Sequence, residues 1–296
     1  MKQIFATLIL VWAIVLMAAA QDGRRFFVSP QGYGDGSSWQ NAHNDLAAVL
    51  AMARSGDQIW VATGTYIPSQ HGDRRASFVI PSGVQIFGGF AGFETSLKQR
   101  RLGQNFTVLS GDIGQLGNPR DNSYTVVYCQ AVSESTLLDG VHITGGFADA
   151  NHEGVHPSTC GGGIFIDSQG RSSAPVFRNC VIRDNYAING GGVYVYANQG
   201  VAAPTFINSS LKNNRAELYG GGITNDSRQG NCETSFTNCY FITNVALYGA
   251  GMANQGQKGS CLITLKECDF INNFADLRGG AILSENQGAA QGKVVF

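Results

Sequence analysis

From Gly161 onward, apolar and polar residues recur with a long, regular period. Segments opening "GGGIFID" at Gly161, "GGGVYVY" at Gly190, "GGGITND" at Gly220, "GAGMANQ" at Gly249 and "GGAIL" at Gly279 start 29, 30, 29 and 30 residues apart. Three residues after each start stand Ile164, Val193, Ile223, Met252 and Ile282. Sixteen after stand Phe177, Phe206, Phe236 and Leu265, and twenty-one after, Ile182, Leu211, Phe241 and Phe270. Each apolar column lies in a short stretch of alternating character, the pattern of a strand with one face turned inward. Three such strands cannot bury their own apolar faces, so successive coils must stack and share a core. The spacing predicts an all-β chain, a single-stranded right-handed parallel β-helix rising about 4.8 Å per coil. An α-solenoid would need a 3.6-residue stripe, which is absent, and would not tolerate this much glycine.

Two further columns refine the picture. Asn185, Asn214, Asn244 and Asn273 share one position, as do Ala187, Ala216, Ala246 and Ala275 two residues on. The asparagines are expected to form an amide ladder along the axis, each side chain bonding the next. Upstream the coils are less regular, yet Leu138, Ile143 and Ala148 fall on the Phe, Ile and Ala columns. Earlier runs, "QIWVATGTY", "SFVIPSGVQIFGGF", "NFTVLSGDI" and "YTVVYC", read as strands of preceding coils. Ahead of most of them "NAHNDLAAVLAMARSGD" reads as a helix. Asn44 is its expected N-cap, Leu46, Val49, Leu50 and Ala53 its apolar face, and Gly56 its stop. Such a helix would cover the open first coil, whose strand edges are otherwise exposed.

Composition narrows the class. Glycine numbers 39 of 296 residues and proline only 7, so glycine serves recurring turns. Charged residues make up 14% with a net charge of -1, and the absence of a basic surplus argues against a nucleic-acid partner. The first twenty residues read as an export leader: Lys2, an apolar run from Ile4 to Met17, then Ala18-Ala19-Ala20. An uncleaved membrane anchor is the alternative reading of that run. No later segment approaches the roughly 18 apolar residues a membrane span needs, so no transmembrane span is expected after leader removal. The expected organisation is a leader over 1–20, a cap and first coil over 21–75, and the β-helix over 76–296. The product would be secreted or associated with the outer surface. Counted from Gly279, Phe296 falls partway through a coil, so a further expectation is that coils continue beyond the given sequence.

The seven cysteines contain no C-x-x-C pair, which does not support a zinc ribbon. Cys180, Cys239 and Cys268, with Ser209 in the coil between, share one column and read as small buried groups. Cys232 and Cys261 share another, and stacking would bring their Cα atoms to about 5 Å. A Cys232–Cys261 disulfide is expected from that spacing.

With the repeat established, the residues resemble known groups. "GGGI", "GGAI" and the Phe270-Ile271-Asn272-Asn273 run look like the repeat of bacterial polymorphic outer membrane proteins. "FFVSPQGYGDGSSWQNA", "GDQIWVATGTY" and "GGFAGFETSLKQR" are similar to the N-terminal part of secreted pectate-lyase-like β-helix proteins. The first resemblance implies a surface adhesin or passenger-like protein. The second implies a fold that also carries polysaccharide lyases and glycosidases, and fold alone does not choose between them.

The outward positions of the strands after each glycine start are the candidate sites for chemistry. Phe165, Asp167, Tyr194, Tyr196 and Asp226 stand there. Aromatic rings with a polar tip suit sugar stacking, so these five are the candidate ligand-binding residues. Asp167 and Asp226 lie two coils apart, about 9.6 Å by strand spacing, near the separation used by inverting glycosidases. The G-H-G, N-x-D and D-D motifs of the resembling polygalacturonases are absent, and no Arg or Lys aligns opposite these acids. No catalytic residue is therefore assigned and no cofactor is called for, although a lyase would require calcium. Two readings stand: a non-catalytic surface scaffold for adhesion or carbohydrate binding, with a polysaccharide or cell-surface glycan as partner, and a polysaccharide lyase or glycoside hydrolase.

One motif invites a different reading. His152-Glu153-Gly154-Val155-His156 spells the H-E-x-x-H of zinc proteases. Thirteen positions separate Ala148 from Gly161 where later coils use three, so "DANHEGVHPS" is an insertion in a turn. Gly154 lies between the histidines and Pro157 biases His156 away from helical angles, so no helix is expected to align them. No metal site is assigned, and the segment is expected to be a solvated loop whose histidines are dispensable.

Overall fold

The computed structural model describes residues 23–228, 230–286 and 291–296, and the leader expected over residues 1–20 lies outside the described residues. The chain is a right-handed parallel β-helix whose strands stack into four sheets along one axis. The first sheet begins with Arg25–Val28, Gln58–Ala62 and Gln85–Phe90 and continues through Val176–Arg178 and Ser260–Lys266 to Gln291–Val295. The second runs from Gly64–Tyr66 through Val181–Arg183 to Asp269–Ile271, and the third from Phe78–Val79 through Ile164–Asp167 to Ile282–Asn286. A fourth, Phe147–Ala148 to Phe274–Arg278, enters where the repeat becomes regular. Regular coils therefore carry four main strands, one more than the apolar columns predict. The additional strand holds the alanine column, whose small side chains leave little alternation to read.

The columns of the sequence are the register of the structure. Leu138, Phe177, Phe206, Phe236 and Leu265 are consecutive partners in the first sheet, and Ile143, Ile182, Leu211, Phe241 and Phe270 in the second. Phe177, Phe206 and Phe236 stack with ring centroids 4.9 Å apart at both steps. With Ile164, Val193 and Ile223 from the third sheet they are all 0% exposed. A stacked offset ring pair contributes about 0.5–1.5 kcal/mol beyond its burial, so the interior column favours one register.

Polar side chains hold the turns. Asn185 Nδ2 donates to Asn214 Oδ1 at 3.1 Å, Asn214 Nδ2 to Asn244 Oδ1 at 3.1 Å, and Asn244 Nδ2 to Asn273 Oδ1 at 2.9 Å. Each amide also donates inward to a main-chain carbonyl, Asn214 to Ile182 and Asn244 to Leu211. A second amide row, Asn179–Asn208–Asn238, occupies the corner between the first and second sheets, with φ of 53°, 49° and 51°. Asn is among the few residues with a side chain that adopt this left-handed region readily, because its short amide bonds locally. Repeat-opening Gly220 has φ +64°, and a Cβ there would lie 2.2 Å from Thr224 Oγ1, so glycine is required.

The N-terminal helix spans Leu46–Met52, shorter than its pattern suggests, and Asp45 rather than Asn44 is its N-cap. Asp45 has extended backbone angles, and its Oδ1 accepts from Ala48 N three residues on, the N3 geometry of a cap. The chain turns out of the helix at Ala53, before Gly56. Leu46, Val49 and Leu50 are buried in one cluster with Val28, Ile59 and Phe78.

Cys232 and Cys261 are register partners in the first sheet, both buried, and both are free thiols. The bridge expected from their spacing is not formed. Partners on adjacent parallel strands hold their Cα–Cβ bonds parallel, which leaves the Cβ atoms about 4.8 Å apart, against the roughly 3.5–4.5 Å of disulfides.

Candidate ligand-binding cleft

Side chains on the outer face of the third sheet form two rows. Val79, Tyr128, Phe165, Tyr194 and Thr224 follow one another in register, and beside them run Gln130, Asp167, Tyr196 and Asp226. The first row is aromatic over three coils, with Tyr128–Phe165 centroids 5.8 Å apart and Phe165–Tyr194 5.6 Å. A bare sheet would leave these rings in water, but the insertion between Ala148 and Gly161 folds over part of them. Val155 and Cys160 pack on Phe165 and Tyr194, which are 2% and 1% exposed.

Specific bonds fix the insertion. Arg74 donates to Asn122 O and Phe147 O and pairs with Asp149 at 2.6 Å, tying down its first residue. Within it, Ala150 N donates to Ser158 O, while Thr159 N and Cys160 N donate to His156 O. Thr125 Oγ1 donates to Pro157 O at 2.8 Å, and Cys160 pairs in parallel with Asn189. The segment consists of turns and bends with no helix, and the His152 and His156 rings stack with centroids 4.3 Å apart. Among the described residues no three His, Cys, Asp or Glu side chains are grouped to hold a metal ion.

Between insertion and sheet lies a cleft of about 500 Å³. Val79, Tyr128 and Phe165 form its apolar floor, His156 and Pro157 one wall, and Asp167 and Tyr196 the opposite rim. Gln130 Nε2 donates to Tyr128 OH at 2.8 Å, and Tyr128 OH donates to Asp167 Oδ2 at 3.4 Å. Burial and the Asp167 charge push the Tyr128 hydroxyl up to about 12, so it remains a donor. His156 Nδ1 accepts from Ser158 N at 3.1 Å, which places the proton of the neutral ring on Nε2. Burial, His152 and Arg75 hold its pKa below the usual histidine value. The cleft thus offers tyrosine hydroxyls, an imidazole, the Asp167 carboxyl group, the Arg75 guanidinium and flat apolar ring surface.

The structure divides the five candidate residues. Asp167 and Tyr196 reach the cleft, and Phe165 reaches it with the little surface the insertion leaves. Tyr194 and Asp226 do not line it. Tyr194 OH donates to Asp226 Oδ2 at 2.6 Å, Arg228 Nε donates to the same oxygen at 2.9 Å, and Asp226 is 1% exposed. The expectation of an open face bearing both acids is therefore corrected: Asp226 is an internal ion-pair partner, and an acid held this way cannot flank a bound sugar opposite Asp167. His156, expected in a solvated loop, is instead part of the wall. Tyr128 and Gln130 were missed. Their signal lies in "VVYCQ", which stands 37 residues before "GIFID" where regular coils are 29 or 30 apart, so the repeat count does not bring the two together.

The polymorphic membrane protein repeat of Chlamydia matches residues 267–285, the stretch holding Phe270 to Asn273 and Gly279 to Ile282. No curated protein matches the chain. Among solved structures, the crystal structure of pectate lyase Pel9A is similar, with a TM-score of 0.54 and 16% identity. The similarity covers 92% of this chain and 62% of that one, so the chain spans less than two thirds of the lyase. This likeness is one of fold. The chain is a parallel β-helix carrying polymorphic membrane protein-type repeats.

Proposed function

We propose that this protein is an extracellular or outer-surface scaffold that binds carbohydrate, without catalysis, in the cleft between the third sheet and the 149–160 insertion. The fold and the matched repeat support a surface scaffold of adhesin-like type. Among the described residues no helix is long and apolar enough to cross a membrane. The observation that carries the ligand class is the cleft lining: ring surface on Tyr128, Phe165 and Tyr196 beside the Gln130–Tyr128–Asp167 hydrogen-bond chain. Sugar rings present an apolar C–H face ringed by hydroxyls, and this lining complements both parts. The engagement of Asp226 by Tyr194 and Arg228 supports a binding role over hydrolysis by paired acids.

The test is calorimetric titration of acidic and neutral oligosaccharides into the wild type and Tyr196→Ala, with product analysis in calcium. Saturable binding weakened about 3- to 10-fold by Tyr196→Ala, as expected for one lost ring contact, supports the proposal. New unsaturated or reducing ends would replace it with a lyase or hydrolase reading.

A further inference from the structure

Among the described residues, five buried side-chain polar atoms have no hydrogen-bond partner. Asp226 Oδ1 lies in the ion pair beside the cleft, and Ser123 Oγ belongs to a hydroxyl free to rotate. The other three, Asp112 Oδ1, Asp121 Oδ1 and Asn122 Oδ1, all belong to one turn, 111–122, that leads from the second sheet to the third. Buried polar atoms are nearly always paired, and three orphaned oxygens in twelve residues ask for a common explanation.

The turn is shaped around these side chains. Asp112 Oδ2 accepts from Gly117 N, and Asp121 Oδ2 accepts from Gln115 N and Asn118 Nδ2, so each carboxylate uses one oxygen on the loop and keeps one free. Asn122 is 6% exposed, and its Nδ2 donates to Gly145 O at 2.7 Å, which settles which end of the amide is oxygen. Gly145 packs against the Gly111 and Asp112 main chain, so the Asn122 amide group lies at the start of the same turn. Arg74, which donates to the Asn122 carbonyl, is itself paired with Asp149. Asp112 and Asp121 thus bond the same stretch, Gln115 to Asn118, and leave two desolvated carboxylate oxygens on one loop, an arrangement that a cation would complete.

We propose that this turn is a calcium site, with Asp112, Asp121 and Asn122 each supplying the orphaned oxygen. All three donors are oxygen, which selects a hard cation over zinc or copper. The irregular loop suits the flexible coordination of calcium better than the strict octahedron of magnesium, with main-chain carbonyls and water completing the shell. The site is separate from the cleft and independent of the carbohydrate reading. It braces the point where the fourth sheet begins, since Phe147 N donates to Ser123 O.

Titration of CaCl2 into the chelator-treated full chain should show one ion bound, with magnesium weaker. Asp112→Asn combined with Asp121→Asn should lower the calcium affinity roughly tenfold or more, because ligand charge sets the strength of such sites. A second measurement needs no variant: exposed Arg120 lies inside the turn, and tryptic cleavage after it should slow in calcium and recover in chelator. No binding at millimolar calcium, unchanged affinity in the double variant, or equal cleavage with and without calcium would each overturn the assignment.

Discussion

Tyr194 and Asp226 sit on adjacent coils and in adjacent outward rows, yet their side chains meet in a 2.6 Å hydrogen bond, each about 1% exposed. Burial and the Asp226 charge together hold the Tyr194 hydroxyl far above its ordinary pKa, so it stays a donor at any working pH. Tyr194→Phe should cost about 1–3 kcal/mol, the range for withdrawing a hydrogen bond from a buried charged acceptor. Asp226→Ala should cost more, about 2–4 kcal/mol, because the buried Tyr194 hydroxyl is stranded and the half-exposed Arg228 loses an ion pair that water only partly replaces. Carbohydrate affinity should remain unchanged in Tyr194→Phe. Urea unfolding and titration on the same protein separate the two effects, and a collapse of binding without loss of stability would return Tyr194 to the cleft.

Asp139 gives the fold a defined acid sensitivity. It is 0% exposed and accepts from Arg100, Arg178 and Asn179. Burial by itself would raise its pKa, but these hydrogen bonds outweigh burial and hold the carboxyl below the usual range. A depressed acid stabilises the folded state above its unfolded pKa, near 3.9, and that contribution is lost as pH falls through the folded value. Stability should therefore decline below about pH 4. Asp139→Asn should flatten that part of the profile while costing about 3 kcal/mol at neutral pH, since two arginines lose their partner. Thermal unfolding between pH 2 and 7 reads both.

The fold was legible because a stacked coil repeats its environment. Phe206 sees Phe177 on one side and Phe236 on the other, so one chemistry suits the whole column and the period appears in the sequence. The cleft was only partly legible for the opposite reason. It is built once, by an insertion that belongs to no column, and the insertion decides which rings of the third sheet are covered. Phe165 and Tyr196 were visible as outward residues, but nothing in their own coil signals that Val155 and Cys160 lie over one of them. The Asp45 cap was missed by one residue, because Asn44 and Asp45 have equal claim by type and only the backbone angles choose.

His156 links pH to the shape of the cleft. Its pKa lies below the usual value because burial, His152 and Arg75 disfavour the charged ring, and its Nδ1 already accepts from Ser158 N. With the folded pKa depressed, the unfolded insertion binds the proton more readily, so local stability falls as pH drops below about 6.5. The Ser158 amide should exchange faster with solvent at pH 5.5 than intrinsic rates predict, and His156→Gln should remove that dependence. An exchange rate following intrinsic chemistry alone would show that the ring does not hold the wall.

The two asparagine rows separate a buried ladder from an exposed one. Asn214 is 0% exposed, with its amide donating to Ile182 O and Asn244 Oδ1 and its Oδ1 accepting from Asn185 N and Nδ2. Asn214→Ala takes a bond from all four of those groups out of reach of water, although Asn244 Oδ1 keeps the residue-214 main-chain N–H and Asn185 Nδ2 keeps Ile143 O. At about 1–3 kcal/mol per stranded group, partly relieved by relaxation, the loss should reach roughly 3–5 kcal/mol. Asn208 bonds its neighbours through an amide that faces solvent, and its backbone φ is 49°. Glycine accepts that backbone without strain and water replaces the lost amide bonds, so Asn208→Gly should change stability by less than about 1 kcal/mol. Denaturant unfolding of the two variants should differ by several-fold in free energy although both asparagines recur in every regular coil up to Asn238. Equal losses would mean that the rows act through backbone conformation and not through amide bonding.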